Sequence, residues 1–462
     1  MKRIILSIAL IAFASLSSWA VTLPAIFSDN MVFEQNSVVT IWGWGKTREP
    51  IAVVASWNAS DTIRAVADTN AKWSAQLHTP VGSHDSYTID IIGYNSLSIH
   101  NVGIGEVVLC SGQSNMEWTV NAGFRGRQEV MKNIYRPDVR MFNVDYRTAE
   151  VVSHDVTGKW EVANTQTIGN FSAIGYLMAC KLSEVLNVAV GVVNSSWGGT
   201  PIEVWTNPTA YEFCDYLRTA NETLPKNIWG PQKPGAAYNA MVAPLEGFKF
   251  SCLAWYQGEA NVDNQYAYTD MMFSWANSMR ELFGANLPIV YAQIGAYHYN
   301  SGNGVAIRER QRRALDIPNT AMVVIGELSD TVNIHPAYKM EAAERFANAV
   351  LNTVYGKTEY KYAAPLFKKM EVQKNKAYIT FDNAEGLCTS NGKAPDWFEV
   401  AGADGKYVPA TAKILKDGRV ELSAKGVATP VNVRYAWSDT AMPNLRNAAG
   451  VQASSFTTAD DF

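Results

Sequence analysis

Residues 106–116 read Glu-Val-Val-Leu-Cys-Ser-Gly-Gln-Ser-Asn-Met. An apolar run ends at Cys110, and Gly112 permits a tight turn directly after it. Val and Leu in a short unbroken run fit a strand buried on both faces. Ser114 then stands just beyond the carboxyl end of that strand, where a nucleophile is exposed and its own N–H is free to donate. Taken alone, the stretch is also compatible with an ordinary strand-to-loop turn. It is not the G-x-S-x-G elbow, because Met116 holds the place of the second glycine.

Working outward, further apolar runs occur at 139–144, 188–194, 251–256, 288–294 and 320–325. Between them lie helical patterns at 172–187, 266–283, 305–316 and 337–354. In the first of these, Ile174, Leu177, Met178, Leu182, Val185 and Leu186 keep helical spacing, and Ser172 can cap it. Strands alternating with helices predict a parallel sheet covered on both faces, and ligands bind such sheets beyond the carboxyl ends of the strands. The flanks differ. Residues 21–105 carry short Val-, Ile-, Thr- and Trp-rich runs at 38–44, 51–56, 73–77 and 86–92, separated by Gly, Asn, Asp and Pro. Residues 357–462 repeat that style at 369–372, 376–381, 397–400, 419–422 and 431–437. The expected organisation is an N-terminal β-domain over 21–105, an α/β domain over 106–356 and a C-terminal β-domain over 357–462, both β-domains sandwich-like.

Three more stretches follow apolar runs. Asn194-Ser-Ser-Trp-Gly-Gly-Thr-Pro201 offers paired glycines, Gly198 and Gly199, whose N–H groups can approach a ligand oxygen closely; a plain glycine turn is the alternative. Trp255-Tyr-Gln-Gly-Glu-Ala-Asn261 groups Gln257, Glu259 and Asn261, whose amides could donate to an oxyanion; a polar loop without a role is the alternative. Asn333-Ile-His-Pro336 supplies His335 ahead of a helix that Pro336 could start. A serine nucleophile needs a base, and only six histidines exist. His78, His84 and His100 fall in the N-terminal β-region and His154 in a loop. His298 sits in a Tyr-rich segment and stays open as a substrate contact, which leaves His335 as the base by elimination. All four stretches fall at one edge of one sheet, and that coincidence carries more weight than any one of them.

Composition narrows the field. The chain has 462 residues, 47% hydrophobic and 18% charged, with 39 Lys+Arg against 43 Asp+Glu. A net charge of −4 offers no basic face for nucleic acid or for a membrane surface. The 14 Trp and 21 Tyr can stack on sugar faces, although most such rings serve cores. Residues 1–20 read as an export signal: Lys2 and Arg3, an apolar run over 4–13, and Ser18-Trp19-Ala20 as the cleavage site. The run is too short to span a bilayer, and no later stretch is long and apolar enough to do so. The expected destination is the periplasm or the cell exterior. Five cysteines in an exported chain leave at least one free thiol, and a Cys180–Cys214 disulfide is compatible with the sequence.

Gly-Gln-Ser-Asn-Met at 112–116, Ser-Trp-Gly-Gly-Thr at 196–200, Trp-Tyr-Gln-Gly-Glu at 255–259 and Ile-His-Pro at 334–336 resemble the sialate O-acetylesterase branch of the SGNH (GDSL-like) hydrolases. Tyr-Asn-Ala-Met at 238–241 and Ala-Pro-Leu at 243–245 resemble it as well, and the likeness spans about 104–356. The resemblance implies a flavodoxin-like three-layer α/β core and serine ester hydrolysis with no metal or other cofactor. It implies Ser114 as nucleophile and His335 as base. The implied oxyanion donors are the Ser114 N–H, an N–H at Gly198 or Gly199, and the Gln257 amide, with Asn261 sharing that last role and Glu259 orienting neighbours. The third triad member departs from the pattern. Where the superfamily often has Asp, three residues before the histidine, this chain has Val332; Asn333 and Asp330 are the remaining polar candidates, and a Ser–His dyad with a backbone carbonyl on the imidazole is the alternative.

The expected substrate is an O-acetylated sugar, first an O-acetylated sialic acid and alternatively an acetylated xylan or hemicellulose. A carboxylated sugar would want an arginine near Ser114, for which Arg125, Arg127 and Arg308 are the candidates. A non-catalytic glycan-binding protein is the alternative from another class, and a lipase-like esterase is disfavoured by the lack of an apolar lid segment.

Overall fold

The structure is a computed structural model that describes residues 21–132 and 134–460. The export signal expected over 1–20 lies outside the described residues. The centre is a large mixed sheet. Its strands are β1 (Ser96–Gly112), β2 (Tyr135–Asn143), β3 (Trp160–Asn164), β4 (Ala189–Ser196), β5 (Cys252–Tyr256), β6 (Ile289–Gln293) and β7 (Thr320–Val324). The order across the sheet is β7-β6-β5-β1-β4-β2-β3. Every neighbouring pair is parallel except β2 with β3. The strands β4, β5 and β6 are buried along their whole length, as their unbroken apolar text predicts.

Four helices cover the sheet: α1 (Ala173–Leu186), α2 (Tyr268–Phe283), α3 (Gly304–Arg313) and α4 (Lys339–Thr353). α1 packs against α4, and α2 against α3. The Ser172 hydroxyl caps α1 by accepting the Gly175 N–H at 3.0 Å. The last helix begins at Lys339, not at the expected residue 337. Tyr338 is non-helical at ψ 51°, so Pro336 ends the preceding loop and does not start the helix.

β1 is longer than its apolar run suggests. Its first half pairs antiparallel with Tyr87–Ile92, and its second half lies between β4 and β5. The boundary expected near residue 105 therefore falls inside one continuous strand, and one hydrophobic core runs from the N-terminal β-region into the α/β region. Residues beyond 365 form two four-stranded antiparallel sheets around a separate core that includes Ile379, Phe381, Val400, Val433, Tyr435 and Phe456. All five cysteines are free, so the Cys180–Cys214 pairing does not form.

A buried polar cluster joins the N-terminal region to the amino end of β5. The Ser251 hydroxyl lies 2.5 Å from Glu34 Oε2 and 2.6 Å from Glu106 Oε2, and the Tyr355 hydroxyl donates to Glu106 at 2.5 Å. Burial, and then the neighbouring Glu106 carboxylate, push the Glu34 carboxyl up to about 8. A carboxyl raised on folding binds a proton that the unfolded chain releases. Its stabilising effect is complete below the ordinary carboxylate range and is lost as pH rises toward 8. Glu34→Gln is therefore expected to match the parent at pH 5. At pH 8 it should melt a few °C higher, about 1–3 kcal/mol. Thermal melts at the two pH values check this, and an equal difference at both contradicts it.

Candidate active site

The β1–β5 junction fixes the nucleophile stretch. Gly112 has φ 132°, and a side chain there would run into the Tyr256 carbonyl, so only glycine lets the two strand ends close. Gln113 then leaves the sheet, and Ser114 opens a single helical turn, Ser114–Glu117. In the parallel order β4-β1-β5-β6-β7, β2, β3 and β4 are added on one side of β1 and β5, β6 and β7 on the other, so the strand order switches between β1 and β5. A crevice forms at such a switch point, and Ser114 stands at its mouth.

His335 reaches Ser114 from the loop after β7, with its Nε2 2.8 Å from Ser114 Oγ. The imidazole stacks on Trp118 with centroids 4.5 Å apart and planes at 28°. Burial first, and the Lys339 ammonium second, lower the imidazole pKa below its usual value. The ring is therefore held neutral at neutral pH, the form that can accept a proton.

The expected third member is corrected here. Asn333 Oδ1 accepts the backbone N–H of His335 at 2.9 Å, so it does not hold the ring. Asp330 Oδ1 accepts the N–H groups of Val332 and Asn333 at 2.9 and 3.2 Å and shapes the loop. Among the described residues, the recorded hydrogen bond of the His335 ring is the one to Ser114, and its plane is set by Trp118.

The amide candidates are corrected too. Gln257 is fully buried, and its Nε2 donates to the Thr200 carbonyl at 3.2 Å and to Asn261 Oδ1 at 2.7 Å. Its Oε1 accepts the Tyr268 hydroxyl at 2.8 Å, so no amide proton is left for an oxyanion. Asn261 accepts the Ile202 N–H at 3.0 Å and donates to Glu203 at 2.8 Å. Both side chains brace the glycine loop from behind. Glu259 does reach the cleft wall, and burial raises its carboxyl. Its Oε1 accepts from Asn115 Nδ2 at 2.7 Å.

The glycine stretch lies beside the nucleophile. The Gly198 N–H donates to Glu117 Oε2 at 2.5 Å, and Glu117 Oε1 accepts the Tyr146 hydroxyl. Gly199 has φ 72°, and its carbonyl accepts from Asn227. The sequence reading missed Gln113, Glu117, Tyr146, Asn227 and Trp229, all of which line the cleft. Gln113 Oε1 accepts the Ala260 N–H at 3.2 Å and the Gly258 N–H at 3.4 Å, so its amide is turned with the oxygen toward that loop. Gln113 and Glu117 flank the predicted serine in sequence and could have been found by proximity; the other three come from distant loops.

The cleft encloses about 590 Å³. Tyr146 and Trp197 stack face to face at 4.3 Å and 4°, and Trp229 stands at the rim, 76% exposed. No Arg or Lys is among its described lining residues. Arg125 sits over the Tyr338 ring at 5.2 Å, and Arg127 donates to the Val120 carbonyl at 2.7 Å. Arg308 is buried against the C-terminal region, donating to the carbonyls of Ser438 at 2.5 Å and Asp439 at 3.2 Å. His298 is exposed and does not line the cleft. Among the described residues, no group of three or more His, Cys, Asp or Glu could hold a metal ion, and no helix is long and apolar enough to cross a membrane.

Residues 105–352 match a family model described as carbohydrate esterase, sialic acid-specific acetylesterase. The chain is 26% identical to the sialate O-acetylesterase of Mus musculus, over 90% of this chain and 89% of that one. It is 26% identical to the sialate O-acetylesterase of Homo sapiens, over 89% of this chain and 86% of that one. A solved structure of a carbohydrate acetylesterase from Xanthomonas citri superposes with a TM-score of 0.87 at 29% identity, covering 96% of this chain and all of the other.

Proposed function

Because the chain belongs to the sialic acid-specific acetylesterase family of carbohydrate esterases, and is thereby a carbohydrate O-acetylesterase, we propose that Ser114 and His335 are the nucleophile and base that deacetylate an O-acetylated sugar. The contact of 2.8 Å between Nε2 and Oγ at the switch-point crevice carries the reading. The parallel strand order β4-β1-β5-β6-β7 supports a flavodoxin-like SGNH core. The basic and apolar text of residues 1–20 supports export.

In this mechanism His335 takes the Ser114 hydroxyl proton as Oγ attacks the acetyl carbonyl. The oxyanion faces the Ser114 N–H and the Gln113 amide, and the Gly198 N–H joins them once Glu117 releases it. Collapse of the intermediate breaks the bond to the sugar oxygen, and the His335 imidazolium protonates it. A water then gives a proton to His335 as its oxygen adds to the acetyl carbon; the bond from that carbon to Ser114 Oγ breaks, His335 returns the proton to Oγ, and the acetyl group leaves as acetic acid, which ionises to acetate. With no carboxylate among the described residues bonded to the imidazole, the imidazolium is stabilised less than in a full triad.

The sugar has two readings. The names of the relatives favour an O-acetylated sialic acid. The cleft favours a neutral acetylated sugar, because Glu117 and Glu259 line it without a described cation and Trp197, Tyr146 and Trp229 offer flat apolar faces. Acetate release should be compared between O-acetyl sialic acid and its carboxyl methyl ester. If the cleft carboxylates set the preference, the ester is turned over several-fold faster. A faster free acid assigns the site to the anionic sugar.

A further inference from the structure

Lys339 is buried to 2% exposure beneath the dyad, at the first turn of α4. Lysine is almost never buried so fully unless something is gained from its charge or its hydrogen bonds. Its Nζ donates to Asn115 Oδ1 at 2.6 Å and lies 5.6 Å from the centre of the Trp118 ring, the ring on which His335 stacks. Asn115 is fully buried, and its Nδ2 donates to Glu259 Oε1 at 2.7 Å and to the Ile334 carbonyl at 3.0 Å. One amide thus ties together the residue after the nucleophile, the residue before the base, and the loop after β5.

An amide has two donor protons on one side and an acceptor on the other, and all of them are used here. The tie depends on which way the amide faces. Flipped, it would present its protons to the lysine and its oxygen to a carboxyl and a carbonyl. The Lys339 ammonium, which donates and has no acceptor, excludes that arrangement.

We propose that Lys339, acting through Asn115, is a positioning residue that holds Ser114 and His335 in register and does the orienting work the 330–335 loop leaves undone. This rests on the reading of Ser114 and His335 as nucleophile and base. The electrostatics agree with it. Lys339 lies beside the imidazole, Glu259 stands behind the Asn115 amide, and Glu117 lines the same cleft. Burial lowers the Lys339 ammonium to about 7, with Glu259 opposing the shift, so below that pH, where the acid limb of His335 lies, its charge disfavours the imidazolium.

Lys339→Met keeps the apolar stem, and replacing a buried charge by an apolar side chain of like volume is often tolerated. Asn115→Asp keeps the shape but has no donors, and it gives a second variant should the first fail to fold. Both are assayed with p-nitrophenyl acetate from pH 5 to 9, with rates expressed per site titrated by a serine-directed fluorophosphonate. The proposal expects kcat per titrated site to fall roughly 10- to 100-fold with KM nearly unchanged. It also expects the acid limb of kcat/KM for Lys339→Met to move to higher pH, because the cation beside His335 is gone. The double variant should lose less than the product of the two single losses. Per-site rates within twofold of the parent and an unmoved acid limb overturn the proposal and leave the dyad standing. Failure of the reagent to label Ser114 in the parent overturns both.

Discussion

Ser114→Ala is expected to lower kcat for acetyl esters by about 10⁵- to 10⁶-fold while KM changes by no more than a few-fold. The hydroxyl supplies the attacking atom, and what remains after its loss is only the help that binding and oxyanion donors give to attack by water. The side chain is half-buried, and its recorded hydrogen bond among the described residues is the one to His335, so removing it opens little space and strands no buried partner. A melting temperature within a few °C of the parent should accompany the loss. Steady-state hydrolysis of p-nitrophenyl acetate, with trace contamination controlled by a fluorophosphonate block, measures the effect. Activity within tenfold of the parent would remove Ser114 from the mechanism.

His335→Ala should cost nearly as much, about 10⁴-fold or more in kcat at pH 7, because nucleophile and base act as a unit. Its pH dependence distinguishes it from a general loss of structure. In the parent, the neutral imidazole is the working form, and burial with Lys339 holds its pKa below the usual value. The acid limb of kcat/KM is therefore expected below pH 6.5, with a plateau through neutrality. A carboxylate on the ring would favour the imidazolium and move that limb the other way. In His335→Ala the limb should vanish, and the residual rate should rise with hydroxide concentration. A retained limb at the same pH would assign the titration to another group.

The geography of this site was legible in the text. β1, β4, β5 and β7 end at Gly112, Ser196, Tyr256 and Val324, within two residues of the ends of the apolar runs, because strands buried on both faces leave little else for such runs to be. That placed Ser114, Gly198, Glu259 and His335 at one edge. What stayed hidden was which way the loops turn. Gln257 and Asn261 sit in a stretch that reaches the site, yet their amides turn inward, where Thr200, Glu203 and Tyr268 satisfy them. Gln113 and Glu117 point into the cleft from the stretch that was read for its serine alone. Asp330 and Asn333 stood at plausible spacing from the base but spend their oxygens on loop N–H groups. Spacing sets proximity, and the competition for hydrogen bonds sets direction.

Length and alternation also misled at β1. Residues 96–101 alternate between exposed and more buried positions, residues 102–112 are buried throughout, and the apolar text from 106 onward reads as a separate element. The backbone runs straight through both. The trio of Tyr146, Asn227 and Trp229 had no signal, since each comes from a loop remote from the recognisable stretches.

The account's central claim is that Ser114 is made nucleophilic by His335 without a carboxylate partner among the described residues. The most direct measurement is the rate and site of labelling by a serine-directed fluorophosphonate, read by intact mass and peptide mapping. It is run on the parent, His335→Ala and an Asp330→Ala/Asn333→Ala double variant. The account predicts one adduct, on Ser114, formed at least 10³-fold more slowly in His335→Ala and slowed far less, by the loosened 330–335 loop alone, in the double variant. An adduct on another residue, or a double variant as slow as His335→Ala, would contradict it.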